Sequence, residues 1–157
     1  MILIVPIRRS KHPNMRKIFF DANILLDLLI TNRTNHHRAL QSLPHILERY
    51  EILATSEDIL TTIEYIASRQ KIPCERTAAF FGMLQEEFDI LNFTSVLPKV
   101  LPIYAHKCKQ GEPKDFEDLM QLHCAMEAGC DTFLTEDQGI AEEAWDIRVV
   151  TLMEFSP

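Results

Sequence analysis

Along most of this chain, short apolar runs alternate with longer stretches of helical periodicity, the pattern of a parallel sheet covered by helices on both faces. Residues 17–20 predict a short buried strand that feeds directly into a helix over 22–30. A second helix is expected over 35–50, disturbed by Pro44, and a strand over 51–54. Ser56 reads as the N-cap of a helix reaching about residue 70, with Glu57 and Asp58 in its first turn, where helix dipoles favour negative charge. Pro73 marks a break. Helical stretches over 75–88 and 95–109 flank the strand-like DILNF, and GEP at 111–113 forms the loop before a helix over 115–128. Strands over 132–135 and 148–151 close the pattern.

With 157 residues and 46% hydrophobic content, the chain can bury one core and leaves little room for a second. Residues 1–14 carry Arg8, Arg9 and Lys11 and no acid, which leaves 13 basic against 23 acidic side chains in the remainder. We therefore read 1–14 as an N-terminal extension of unknown role, either an extra strand with a linker or an upstream addition, and 15–157 as one domain. No apolar stretch approaches a membrane span of about 20 residues. MILIVPI runs into RRSK without a small-residue cleavage site, so a cytoplasmic protein is expected. Cys74, Cys108, Cys124 and Cys130 include no CxxC pair and read as free thiols rather than disulfides or a zinc site.

Four carboxylates stand where an α/β chain would need them to hold a divalent cation. Asp21, with Asn23 close behind, follows the first strand, and such carboxyl-end positions line the ligand crevice of parallel sheets; the alternative is a simple helix cap. Asp27, one turn on, reads as solvated. Glu64 flanks the apolar stripe of Leu60, Ile63 and Ala67, half-buried in the expected helix, or else is a boundary glutamate reaching water. Asp115 and Asp118 face inward with Leu119, Leu122, Ala125 and Met126, while Glu117 and Glu127 point elsewhere; Asp115 can equally be the N-cap. Asp137 sits where the strand FLT enters a turn, and Thr135 could add a hydroxyl there, with Glu136 directed the other way.

The stretches IFFDANILLD, TTIEYIAS, DFEDLMQLHCAMEAGCDTFLTED and RVVTLMEF resemble the PIN-domain ribonucleases, and within them the VapC-type toxins of toxin-antitoxin pairs. The resemblance runs from Met15 to the end. It implies a three-layer α/β/α fold with a mainly parallel sheet, and four acids, Asp21, Glu64, Asp118 and Asp137, converging on one or two Mg²⁺ or Mn²⁺ ions. Asn23, Asp115 and Thr135 would support them. The implied chemistry is hydrolysis of RNA phosphodiesters, with no side-chain nucleophile required, in keeping with the lack of a Ser/His or Cys/His arrangement. The formal charge of −7 opposes a nucleic-acid role less than it first suggests, since cations would neutralise the acid cluster. Arg33 and Arg38, beside His36 and His37, and Lys107, Lys109 and Lys114 are candidate phosphate contacts, or else a solvated helix surface. The resemblance further implies a small antitoxin across the acidic groove and a homodimer, with the apolar faces of 35–50 and 75–88 available for pairing unless they serve the core. Two other readings compete. A haloacid-dehalogenase-like phosphatase would want a second aspartate where Asn23 stands, and an inactive PIN-like module would bind RNA or a protein without cutting.

Overall fold

The computed structural model describes residues 15–112, 115–141 and 145–156. The N-terminal extension and Lys114 lie outside the described residues. Among these, five parallel strands form one sheet in the order β3-β2-β1-β4-β5, from β1 (Lys17–Phe20), β2 (Ile52–Ser56), β3 (Phe88–Leu91), β4 (Thr132–Leu134) and β5 (Arg148–Val150). Around it are α1 (Ala22–Leu29), α2 (His36–Arg49), α3 (Glu57–Arg69), α4 (Cys74–Glu87), α5 (Leu97–Lys109), α6 (Phe116–Glu127) and the single turn α7 (Gln138–Ala141). The three-layer α/β/α arrangement expected from the alternation is the one observed.

β1 is the centre of the sheet, and its KIFF sequence is apolar without alternation because both faces are covered. Ile18, Phe19 and Phe20 are fully buried, and Phe19 stacks on Phe133 of β4 with ring centroids 5.1 Å apart. Two polar pairs inside the layers are matched. The Tyr50 hydroxyl lies 2.7 Å from Thr132 Oγ1, and Thr55 Oγ1 donates to the carbonyl of Phe20 at 3.1 Å. Each pairing removes the cost of a buried polar group without water.

The chain leaves β1 toward β2 on one side, while β4 and β5 lie on the other. The strand order therefore reverses between β1 and β4, and a crevice opens at the carboxyl ends of those two strands, the usual place for a ligand in an open parallel sheet.

One local expectation is revised and one open alternative is decided. Pro44 does not break α2, which runs continuously from His36 to Arg49. Pro44 occupies its exposed face, opposite buried Ala39, Ser42 and Ile46, so the carbonyl it deprives of a partner can turn to water. The apolar faces of α2 and α4 are largely spent on the core: Ile46, Phe80 and Leu84 are buried, with Leu43, Leu47 and Met83 packed at their edges.

Candidate active site

Asp21 is the first residue past β1, and its N–H still continues the sheet by donating to the Leu134 carbonyl at 3.0 Å. Its side chain has two tasks at once. Oδ1 accepts from the Ala22 N–H at 2.7 Å and so caps α1, while Oδ2 accepts from the Thr135 hydroxyl at 2.7 Å. Thr135, fully buried just after β4, in turn accepts from the Asp137 N–H at 3.0 Å. Burial pushes the Asp21 carboxyl up to about 6; its two hydrogen bonds pull the other way, and the charges of Asp137 and Asp58 push further up. The helix cap and the site residue are thus the same side chain.

Asp118 enters from the first turn of α6. The Asp115 side chain caps that helix by accepting the Asp118 N–H at 3.2 Å, so of the two readings of Asp115 the capping one is observed. Asp118 is half-buried, and its carboxyl is pushed up to about 7, chiefly by desolvation and then by the charges of Asp21, Asp115, Asp137 and Glu117. Asp137 caps α7 through Oδ1, accepting from Gly139 N at 2.9 Å. Three acids from three separate elements therefore act on one another at the mouth of the crevice.

Glu64 is not brought to them. It is exposed and lines a groove of about 190 Å³ between α3 and α4 with Ser68, Ile72, Cys74, Thr77, Ala78 and Phe81. At 100° per residue, Glu64 lies roughly 200° from Thr62, and Thr62 is the side chain that meets α6, donating to Glu117 Oε1 at 2.9 Å. The α3 acid on that flank is Asp58, one turn before Thr62. Its Oδ1 accepts from Ser56 Oγ and its Oδ2 from Gln121 Nε2 at 3.3 Å. Glu117, expected to point elsewhere, faces the same cluster. The i, i+4 spacings of Asp58 with Thr62 and of Glu117 with Gln121 were visible signals, but they acquire meaning only once α3 and α6 are known to touch.

The supporting residues divide. Asn23 Oδ1 accepts from Arg33 at 3.3 Å, and Arg33 is anchored 2.6 Å from Asp27, which is buried rather than solvated. Beside them, His36 is buried with Nδ1 donating to the Asp27 carbonyl at 2.7 Å. Arg33 is therefore tied inward as part of the structure. Arg38 is exposed on α2, and Lys107 and Lys109 lie in the last turn of α5.

The donors present suit a hard cation: carboxylate oxygens whose crowding makes ionisation costly until positive charge arrives. Among the described residues, no three His, Cys, Asp or Glu side chains stand at metal-ligand spacing. Thiol chemistry is disfavoured at the two buried cysteines, since burial pushes Cys124 up to about 11 and Cys130 up to about 12.

The raised carboxyls have a consequence for stability. Folded Asp21 and Asp118 hold protons up to about 6 and about 7, whereas in the unfolded chain both release them near 3.8. Their contribution to stability is therefore greatest at low pH and declines as pH rises from about 4 to about 7. The metal-free protein should melt at a higher temperature near about pH 5.5 than near about pH 7.5, with part of the difference removed in Asp118→Asn. A melting temperature that falls on acidification over this window would contradict the assignment.

A family model described as PIN domain matches residues 17–139. Ribonuclease VapC1 of Aquifex aeolicus (strain VF5) is 30% identical over 146 residues, covering 90% of this chain and 94% of that protein. Among solved structures, DNA-bound VapBC from Salmonella typhimurium superposes with a TM-score of 0.66 at 21% identity, covering 88% of this chain and 99% of that one. Mycobacterium tuberculosis VapC20, described as a Sarcin-Ricin loop cleaving toxin, gives 0.65 at 13% identity, covering 83% and 98%. At these identities the two structures speak to the fold. The matched model and the full-length relative settle the family: the chain belongs to the PIN domain family.

Proposed function

We propose that this protein is a divalent-metal-dependent endoribonuclease and the toxin of a type II toxin-antitoxin pair. The observation that carries the reading is the meeting of Asp21, Asp118 and Asp137 at the switch point of the sheet, with Asp118 pushed up to about 7 by desolvation and then by the charges of its neighbours. Likeness to a curated ribonuclease over nearly the whole of both chains supports RNA as the substrate.

In this mechanism Asp21 and Asp118 would hold Mg²⁺ or Mn²⁺, with Asp137 at the rim. When bound, the ion lowers the pKa of attacking water and offsets charge developing on the phosphate oxygens. Thr135 fixes the orientation of the Asp21 carboxylate through its 2.7 Å hydrogen bond, so that Asp21 does not have to be ordered when the substrate arrives. Buried Phe20 and Leu134 beneath keep water from below the carboxylates. Arg38, Lys107 and Lys109 are the described candidates for phosphate contacts along the approach.

A small antitoxin crossing the acidic groove and a homodimer belong to the same proposal. The VapBC assembly from Salmonella typhimurium is a relative in fold that supports the first of these.

The test is cleavage of a single-stranded RNA by the purified protein. We expect products with Mg²⁺ or Mn²⁺, loss of cleavage in EDTA, and recovery on adding excess ion. Cleavage that persists in EDTA, or none with either ion from a folded protein, would overturn the reading, the latter in favour of a non-cutting module.

A further inference from the structure

We infer that Tyr104 and Phe116, with Trp145 on the same small apolar cluster, form a shelf on which unpaired bases of single-stranded RNA stack beside Asp118. This rests on the proposed ribonuclease function and deepens it, naming the side chains that grip the strand.

The placement follows from how α5 lies on α6. Its start is tied to the end of α6 by the Lys99–Glu127 ion pair, and its far half to the start of α6 by Tyr104, whose ring meets that of Phe116 edge to face with centroids 5.1 Å apart. The two helices therefore run antiparallel, and the last turn of α5, with His106, Lys107 and Lys109, stands at the same end as Asp118. Phe116 is the first residue of α6, held between its cap Asp115 and Asp118. The Tyr104 hydroxyl is hydrogen-bonded with the Cys108 thiol and feels the charge of Asp115. On the other flank, the Trp145 indole N–H donates at 3.1 Å to the Ile140 carbonyl of α7, the helix that Asp137 caps. All three rings pack on one cluster of Val96, Val100, Leu119, Met120 and Cys124, yet each stays half-buried.

Charge and rigidity both favour bases as the occupant. A chain of formal charge −7 draws little affinity from phosphates, and the basic side chains closing α5 add only a few contacts. Affinity for RNA then has to come from groups indifferent to charge, and aromatic rings are such groups, since every base has a π-face to stack on them. The rings are fixed by the helix pair and by the indole hydrogen bond, so little freedom is lost when a strand arrives. Lys107 and Lys109 occupy the turn that follows Tyr104, where the phosphate of a stacked nucleotide can meet them.

The experiment is titration of the full-length protein in EDTA with a short single-stranded RNA and with an abasic chain of the same length and charge, following the emission of Trp145, the only tryptophan of the sequence. We expect RNA to quench the indole and to bind at least about tenfold more tightly than the abasic chain, with a log–log salt slope shallower than about −2, the value for three phosphate contacts on a single strand. Tyr104→Leu and Phe116→Leu, which keep apolar bulk and remove the ring, should each raise KM for cleavage with Mg²⁺ at least about fivefold, with a smaller change in kcat. Lys99→Gln, at the remote end of α5, should bind RNA as wild type. The abasic comparison needs no variant, so it decides the matter even if a substitution unfolds the protein. Equal affinity for RNA and the abasic chain, an unchanged indole emission, or an unchanged KM in both ring variants would overturn the inference; if that protein still cuts RNA, the ribonuclease proposal stands without it. Self-association that Tyr104→Leu abolishes, with no response to RNA, would overturn it as well and make the rings a contact between copies of the chain. Base-dependent quenching without cleavage would keep the shelf in a non-cutting module, and neither binding nor cleavage would remove both proposals.

Discussion

Asp118→Asn should lower RNA cleavage by on the order of 10²- to 10³-fold, while leaving the protein folded and somewhat more stable near neutral pH without metal. The loss follows from removing a carboxylate that holds the ion, whose stabilisation of developing charge contributes several kcal/mol, at about 1.4 kcal/mol for each factor of ten in rate. The stability change has the opposite sign because Asp118 is held at about 7 by desolvation and four neighbouring acids, and an isosteric amide relieves both. The helix cap survives, since Asp115 binds the backbone N–H at 118 and not the side chain. Cleavage rates and thermal melts on one preparation check the two effects together. Lost activity accompanied by a large drop in melting temperature would mean that Asp118 is structural.

Arg33→Ala should cost roughly 3 kcal/mol in urea unfolding, the range seen when one partner of a buried ion pair is removed. Asp27 is 2% exposed, and its Oδ1 lies 2.6 Å from Arg33 Nε while Oδ2 has no partner. Without the guanidinium, a carboxylate is left in a wall of leucines. Replacing both residues, as Arg33→Ala with Asp27→Leu, should recover most of the loss, because an apolar pair of similar volume does not carry the desolvation cost. RNA cleavage should change little in the double variant if Arg33 is held for structure rather than for phosphate. A cost below about 1 kcal/mol for Arg33→Ala would show that the pair behaves as a surface pair.

These two sites show what the sequence could and could not reveal. The run IFFD was readable because an unalternated apolar strand followed by an aspartate places that side chain at the carboxyl edge of a covered sheet, and Asp118 was readable from its phase with Leu122 and Ala125. Helix phase places Asp27 toward solvent, but the solvated side of α1 does not exist: Ala22 and all residues from Ile24 to Leu29 are buried. Helix phase alone cannot report that a helix is enclosed all round.

Glu64 and Asp58 illustrate a second limit. Both flank the stripe of Ile59, Ile63 and Ala67, one on each side, and periodicity ranks them equally. Which flank meets α6 depends on the direction in which α3 crosses the sheet, a tertiary fact that no local window contains. Glu117 reads as pointing elsewhere for the same reason, since only contact with Thr62 and Gln121 turns it toward the acids. The basic residues stay hardest to read, because an exposed lysine on a helix has the same local signature whether or not it meets phosphate.

The most direct test of the metal centre is a crystal structure of the protein grown with Mn²⁺ and measured for anomalous scattering. The account predicts a peak bonded to carboxylate oxygens of Asp21 and Asp118 in the crevice between β1 and β4. A structure in which those two side chains remain as they are, with manganese bound elsewhere or nowhere, would contradict it.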